Sequence, residues 1–165
     1  MIKMYAIFAR ETLTQMQFEG KLAAQAGHAY LHAWWDAEDR LKEEFIPWNN
    51  EGSAGRVCKT LYYENVMYHY KHDNDARKIS LVVDTVAELK KLYKTFRPHM
   101  GATLVEDCAY TVFDKPTITC VGLGPVESAW TKGTKLGDLQ TLGNEIHAPK
   151  LSSFARAFYP LTTER

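Results

Sequence analysis

Short apolar runs alternate with longer amphipathic segments along this chain. The apolar runs are "MIKMYAIFA", "KISLVVDT", "GATLVED" and "TITCVGLGP". Apolar runs of this length, bounded by polar or turn-forming residues, are typical of buried β-strands. The pattern therefore predicts four core strands, near residues 2–9, 78–84, 102–107 and 118–123.

The longest amphipathic segment begins at Lys21, after residues 10–19, which we interpret as a polar loop. From Lys21 onward, small and large apolar residues recur every three to four positions, as they do on the buried face of a helix. This spacing predicts a helix that has a break near Asp36 and ends at Pro47.

A second helix is predicted over "VAELKKLYKTF", whose apolar residues share one helical face, with Asp84 or Thr85 as its N-cap. Between the two helices, "NNEGSAG" indicates a loop. The aromatic and β-branched residues of "VCKTLYYENVMYHYKHDN" then favour a hairpin that turns near Glu64. After Val126, "ESAWTKGTK" predicts a helix, and one more short helix is expected after Ser152.

The composition is that of an ordinary globular domain, with 165 residues, 45% hydrophobic and 24% charged. Strands that alternate with helices predict an α/β layered sheet with helices on both faces. The three cysteines are widely spaced and form no CxxC pair, so we expect reduced thiols rather than a zinc site. The apolar start is too short for a signal peptide or a membrane span, which predicts a cytoplasmic protein.

The net charge of zero gives no general argument for binding nucleic acid. Residues 51–100 nevertheless carry nine Lys and Arg against six Asp and Glu, which is compatible with a local basic face. His69, Lys71 and His72 lie there among tyrosines. Such a mixture binds RNA in some proteins, but packing of the tyrosines on a sheet face is the favoured interpretation.

Lys21, Gln25 and His28 stand out on the first predicted helix, in the stretch "GKLAAQAGHAYLHAW". Their spacing of i, i+4 and i+7 places them along one stripe. A lysine in the first turn opposes the helix dipole, so its position suits a ligand better than it suits helix stability. The structural alternative is that the alanines allow close helix packing, with Lys21 solvated and His28 hydrogen-bonded internally.

A second cluster of polar residues lies in "EDCAYTVFDKPTITC". Asp107 ends a predicted strand, and Thr111, Thr117 and Thr119 lie in the connection to the next strand or at its start. Residues at strand ends are where α/β proteins place their functional sites. We therefore expect the lysine of the first stretch and Asp107 to meet in one site.

Together the two stretches resemble the type 2 peptidyl-tRNA hydrolase family, the archaeal and eukaryotic class. Its first motif, GK[IL]AAQxxHA, is matched throughout by "GKLAAQAGHA". Its second motif runs approximately DAGxTQxxxG[ST]xTxxxxGP and aligns without a gap with "DCAYTVFDKPTITCVGLGP". The residues that match this second motif are Asp107, Thr111, Thr117, Thr119, Gly124 and Pro125, and those that differ are Cys108, Ala109, Val112 and Pro116.

The resemblance implies a three-layer α/β/α fold around a four-stranded mixed sheet. It covers residues 1–132, with an inserted segment near 49–76, and residues 133–165 are expected to extend the same domain. It also implies that the protein cleaves the ester that joins a peptide to tRNA. This reaction would need no metal or organic cofactor, and the protein would be a monomer or homodimer that does not bind a membrane.

The family's functional residues fall on positions of this chain that match its motifs. The resemblance assigns catalysis to Lys21, Asp107 and Thr111, and substrate binding to Gln25, His28, Thr117 and Thr119. Two departures favour an alternative function, a non-catalytic RNA- or protein-binding module. Ala109 is strained if the backbone there needs a positive φ, and Val112 replaces a glutamine amide.

Overall fold

The computed structural model describes residues 1–16, 20–41, 55–73, 76–109, 112–131 and 133–142. Five strands are found in these segments: β1 (Ile2–Ala9), β2 (Arg77–Val83), β3 (Ala102–Asp107), β4 (Thr117–Glu127) and β5 (Gln140–Thr141). The helices are α1 (Arg10–Met16), α2 (Lys21–Arg40), α3 (Gly55–His72), α4 (Val86–Phe96) and α5 (Ser128–Thr131), with a 3₁₀ turn at Lys135–Asp138. None of the described helices is long and apolar enough to cross a membrane.

The strands form one mixed sheet in the order β3-β4-β1-β2-β5. Strand β1 is parallel to β2, while β4 runs antiparallel to both β1 and β3. Strands β1, β2 and β3 therefore all end at the same edge of the sheet, where Asp107 is the last residue of β3. This edge is where an α/β sheet offers its strand ends to a functional site.

Both faces of the sheet are covered, because successive side chains of β1 point to opposite sides. Met4, Ala6 and Phe8 pack against buried residues of α2. Tyr5 and Ile7 belong to a second cluster that includes the apolar residues of α4. The predicted three-layer α/β/α fold is thus confirmed. Four strands are those predicted, and the two-residue β5 is an addition at the sheet edge.

Helix α2 lies unusually close to β4. A Cβ added to Gly122 of β4 would lie 2.0 Å from the backbone oxygen of Ala29. The face of α2 that makes this approach is built from fully buried alanines, Ala26, Ala29, Ala33 and Ala37. Small residues on both elements therefore bring the helix that begins with Lys21 directly onto the strand that contains Thr119.

The hairpin predicted around Glu64 is wrong, because this segment forms α3. Among residues 63–72, where side-chain burial is described, the buried side chains of α3 are Tyr63, Val66, Met67 and Tyr70. They are one, three or four residues apart, whereas Glu64 is exposed. Aromatic and β-branched residues favour strands only when their period of two fits the packing surface. Here the helical period buries them, and tertiary packing overrides the local preference.

The chain before and within α2 also differs from its prediction. Residues 10–16 of the predicted polar loop form α1, whose Leu13 and Met16 are buried. No break occurs at Asp36, because its carboxylate accepts hydrogen bonds from Arg40 one turn later (2.7 Å) and from the backbone of Ala102 (2.9 Å). The helix end at Pro47 and the loop at 49–54 lie outside the described residues.

The predicted second helix is confirmed as α4. Thr85 and Glu88 form a reciprocal capping box, in which each side chain accepts from the other's backbone N–H. The helix ends at Phe96, two residues before Pro98. The helix predicted after Val126 is present only as the short α5, and the one expected after Ser152 lies outside the described part of the chain.

Candidate active site

Lys21 and Asp107 meet at the edge of the sheet where β3 ends. The ammonium of Lys21 forms an ion pair with Oδ2 of Asp107, whose side chain is only 4% exposed, whereas the lysine side chain is 17% exposed. Lys21 is the first residue of α2, where the helix dipole disfavours a cation. The carboxylate of Asp107 offsets this cost and holds the ammonium at the surface of the protein.

The carboxylate of Asp107 is held by two further donors. Ala109 donates its backbone N–H to Oδ1 (2.9 Å), and Gln25 donates its amide Nε2–H to Oδ2 (3.2 Å). Burial raises the pKa of this carboxyl. The hydrogen bonds from Lys21 and Ala109, together with the charges of Lys21 and His28, outweigh burial and hold the pKa below its ordinary value of 3.8. Asp107 is therefore an anion at neutral pH.

Thr119 fixes the orientation of Gln25. Its hydroxyl donates to Oε1 of Gln25 at 2.6 Å, which leaves the NH₂ group of that amide to point at Asp107. The thiol of Cys120 donates to the backbone oxygen of Gln25 at 3.4 Å. A buried hydrogen-bonded line thus runs from Thr119 through Gln25 to Asp107.

A β-bulge in β4 makes this line possible. Val105 of β3 pairs with Cys120, but the next residue, Glu106, pairs with Ile118, so Thr119 is an extra residue without a partner in β3. Bulges of this kind redirect side chains and are common beside active sites. Because of the bulge, consecutive residues Thr119 and Cys120 both contact Gln25 of α2.

The turn after β3 contains one left-handed residue. Ala109 has φ 65°, a conformation in which the Cβ of an L-amino acid is crowded. This is the condition under which we expect an alanine at this position to be strained. The same conformation accompanies the hydrogen bond that its N–H donates to Asp107. The strained turn therefore supplies one of the donors that hold the carboxylate.

The remaining candidate residues differ in their exposure and in their distance from the Lys21–Asp107 pair. His28 is exposed on α2, one turn beyond Gln25, and its charge influences Asp107 without a hydrogen bond. The hydroxyl of Thr117 donates to the backbone oxygen of Lys115 at 2.8 Å, within its own loop. Thr119 is fully buried, and its hydroxyl faces Gln25. Thr111 lies outside the described residues.

Two contributors to the site were not predicted from the sequence. They are the backbone N–H of Ala109 and the thiol of Cys120. A backbone donor has no residue signature, and the role of Cys120 depends on the bulge. The structure also differs from the alternative in which Lys21 is merely solvated, since Lys21 is ion-paired with a buried carboxylate.

This arrangement suits acyl-transfer chemistry. A partly exposed ammonium, held by a buried anion, can donate to an oxygen that gains negative charge during reaction. Because the carboxylate is fixed by Gln25 and Ala109, the ammonium needs little reorganisation when that charge develops.

Comparison with known proteins gives a consistent result. The family model described as peptidyl-tRNA hydrolase PTH2 matches residues 2–140. The peptidyl-tRNA hydrolase of Thermoplasma acidophilum is 30% identical over 129 residues, 77% of this chain and 88% of that protein. Those of Methanococcus maripaludis (123 residues, 72% and 86%) and Sulfurisphaera tokodaii (112 residues, 65% and 74%) are each 28% identical. The chain therefore belongs to the PTH2 family of peptidyl-tRNA hydrolases.

Proposed function

We propose that this protein hydrolyses the ester bond of peptidyl-tRNA, and that Lys21 and Asp107 carry the reaction. Membership of the PTH2 family supports the activity. The observation that supports the site is the ion pair between a partly exposed lysine and a buried aspartate at the edge of the sheet.

The reaction requires a water molecule to attack the carbonyl carbon of the ester that links the peptide to the terminal ribose. The tetrahedral intermediate places negative charge on the former carbonyl oxygen. The carbon–oxygen bond to the ribose then breaks, the ribose oxygen takes up a proton, and the products are a free peptide carboxyl group and tRNA. In this proposal, Lys21 donates to the oxygens that gain charge.

Asp107 has two roles in the proposal. It keeps the ammonium of Lys21 in place, and its anionic oxygens are able to orient the attacking water. Gln25 and Thr119 act as positioning residues, because both are buried and together hold the carboxylate. Thr111 is proposed as an additional donor at the site on the basis of its match to the family motif.

Peptidyl-tRNA is the partner that this proposal requires. We assign His28 and Thr117 to the surface that meets this substrate, since each lies near the Lys21–Asp107 pair and neither is buried. A cytoplasmic location and a monomeric or homodimeric state are part of the proposal. Size-exclusion chromatography with light scattering measures the oligomeric state.

The test of the activity uses purified protein and tRNA charged with an N-acetylated amino acid, followed by release of the acetylated amino acid. We expect cleavage of this blocked ester and slower cleavage of the unblocked aminoacyl-tRNA. The strained Ala109 favours one alternative, a member of the fold that binds RNA without hydrolysis. Retained tRNA binding with undetectable cleavage of the blocked ester would support that alternative and reject the enzyme.

A further inference from the structure

The stripe of α2 that carries Lys21 and Gln25 continues beyond the site. His28, His32 and Trp35 occupy positions i+7, i+11 and i+14 from Lys21, so all five residues lie along one side of the helix. This spacing averages 3.5 residues per turn, and the stripe therefore drifts by only about 20° per seven residues. The helix that presents Lys21 thus also presents three aromatic rings in line with it.

His32 and Trp35 stack on each other, and the ring of His28 lies beside that of His32 at an interplanar angle of 45°. The centroids of His28 and His32 are 5.3 Å apart, and those of His32 and Trp35 are 5.2 Å apart with an interplanar angle of 18°. We call His28, His32 and Trp35 the aromatic row. Neither core cluster of the described residues includes any of its members, and Trp35 is 49% exposed. The adjacent Trp34, by contrast, packs against Tyr70.

The aromatic row is continuous with the site. With a rise of about 1.5 Å per residue, His28 lies roughly 10 Å and Trp35 roughly 21 Å along the helix axis from Lys21. The charge of His28 already acts on Asp107. A flexible chain attached to the reacting ester can therefore leave the Lys21–Asp107 pair and run along the row.

We propose that the aromatic row binds the unpaired nucleotides at the 3′ end of the tRNA by stacking with their bases. This inference rests on the proposed function and names the part of the substrate that α2 recognises. The exposed ring of Trp35, nearly parallel to that of His32, suits nucleobases, because every base has a flat π-face and stacking tolerates different base sequences. The imidazole N–H groups of the row can also donate hydrogen bonds to phosphate oxygens.

The nucleotides suit this row better than the peptide does. Every peptidyl-tRNA carries an unpaired 3′ end, whereas the peptide differs from one substrate to the next. A row of flat rings gives affinity for bases whatever their sequence, and these bases are the constant part of the substrate. Binding of the peptide along the row is the competing outcome that the experiment must separate.

The test compares wild type with Trp35→Ala, Trp35→Phe and a matched control, Leu31→Ala. Leu31 is also exposed on α2 (45%), but it lies outside the aromatic row. Two substrates carry the same N-acetylated amino acid, one on full-length tRNA and one on adenosine alone. Far-ultraviolet circular dichroism establishes that each variant is folded.

Stacking on an aromatic side chain is worth about fivefold or more in affinity per base. We expect Trp35→Ala to raise KM for the tRNA ester by about fivefold or more, and to lower the preference for the tRNA ester over the adenosine ester by a similar factor. Trp35→Phe should retain most of this preference, and Leu31→Ala should match wild type. An unchanged preference in Trp35→Ala would overturn the inference. So would a loss that is equal on both substrates, which would assign the row to the peptide portion that the two substrates share.

A binding measurement keeps the inference independent of catalysis. Uncharged tRNA is compared with the same tRNA lacking its unpaired 3′ nucleotides. If wild type cleaves neither ester but binds intact tRNA more tightly, and Trp35→Ala removes that difference, the proposed function fails while the aromatic row stands. If wild type and Trp35→Ala bind both tRNAs equally, the inference about the row is wrong.

Discussion

Lys21, the first residue of α2, forms an ion pair with Asp107, the last residue of β3. The pair joins two sequence motifs through the contact of a helix with a sheet edge. Its asymmetry matters for function, because the carboxylate is buried while part of the ammonium reaches the surface. A substrate can thus approach the ammonium of Lys21 while the carboxylate of Asp107 stays buried in the protein.

Asp107→Asn tests the stability side of this pair. The pKa of Asp107 is lowered in the folded protein, so the pair stabilises the fold above pH 3.8 and this contribution disappears as the pH falls through the folded-state pKa. We expect the variant to lose about 1–3 kcal/mol at neutral pH, less than for a fully buried pair because Lys21 is partly exposed.

Urea unfolding of wild type and Asp107→Asn from pH 7 to pH 3 measures this effect. The difference in unfolding free energy should be constant at neutral pH and shrink in acid below about pH 4. Asp114→Asn, which alters an exposed carboxylate in the β3–β4 connection, serves as the matched control. A difference between wild type and Asp107→Asn that does not change with pH would show that the carboxylate charge is not its source.

Thr119→Val tests the positioning line from Thr119 through Gln25 to Asp107. Removing the hydroxyl leaves Oε1 of the buried Gln25 without its donor, which should cost about 1–3 kcal/mol of stability. Misplacement of the carboxylate should lower kcat on the order of tenfold with little change in KM. Thr95→Val is the matched control, because that exposed hydroxyl donates within α4, to the backbone oxygen of Lys91. Equal effects of the two substitutions on kcat would argue against a positioning role for the hydrogen bonds from Thr119 through Gln25 to Asp107.

Ala109→Gly tests the strained turn. A left-handed residue that carries a Cβ destabilises the fold by about 1–2 kcal/mol, and glycine removes this cost. The greater freedom of glycine in the unfolded chain cancels only part of the gain in stability. We expect the melting temperature to stay level or rise. Ala24→Gly on the exposed side of α2 should instead lose about 1 kcal/mol. If both substitutions destabilise the protein by the same amount in thermal unfolding, the turn is not strained.

Gly122→Ala tests the close approach of α2 to β4. The added Cβ would overlap the backbone oxygen of Ala29, and no flexible side chain is available to move aside. We expect a loss of about 1–3 kcal/mol or more, as for other overpacked sites. Gly27→Ala adds the same methyl group where nothing lies within 4 Å, and it should stabilise the helix by about 1 kcal/mol. A stable Gly122→Ala variant would contradict the described packing.

Sequence patterns predicted the sheet and α4 because these elements follow simple rules. Strand β1 is buried on both faces and appears as a continuous apolar run, and α4 has a capping box and a single apolar face. Helix α3 was not predicted because its many tyrosines also have a high propensity for β-strands. Which period they follow is decided by the surface they meet, and that surface comes from distant parts of the chain.

The site was accessible to sequence reasoning only in part. Lys21, Gln25 and Asp107 were candidates from helical spacing and strand position, and the structure brings them into contact. The burial of Thr119 against Gln25 could not be predicted from the sequence, because alternation along β4 gives no sign of a bulge. Nor does a sequence show that a backbone N–H, that of Ala109, holds the carboxylate.

The central claim is that the ammonium of Lys21 stabilises charge that develops during ester cleavage. Its most direct test is the single-turnover cleavage rate of N-acetylated aminoacyl-tRNA by wild type and Lys21→Ala, with tRNA binding measured on the same samples. Lys90→Ala on the exposed side of α4 is the matched control. The account predicts that Lys21→Ala lowers the cleavage rate on the order of a hundredfold or more while the dissociation constant for tRNA changes little. A cleavage rate in Lys21→Ala equal to that of wild type and Lys90→Ala would contradict it.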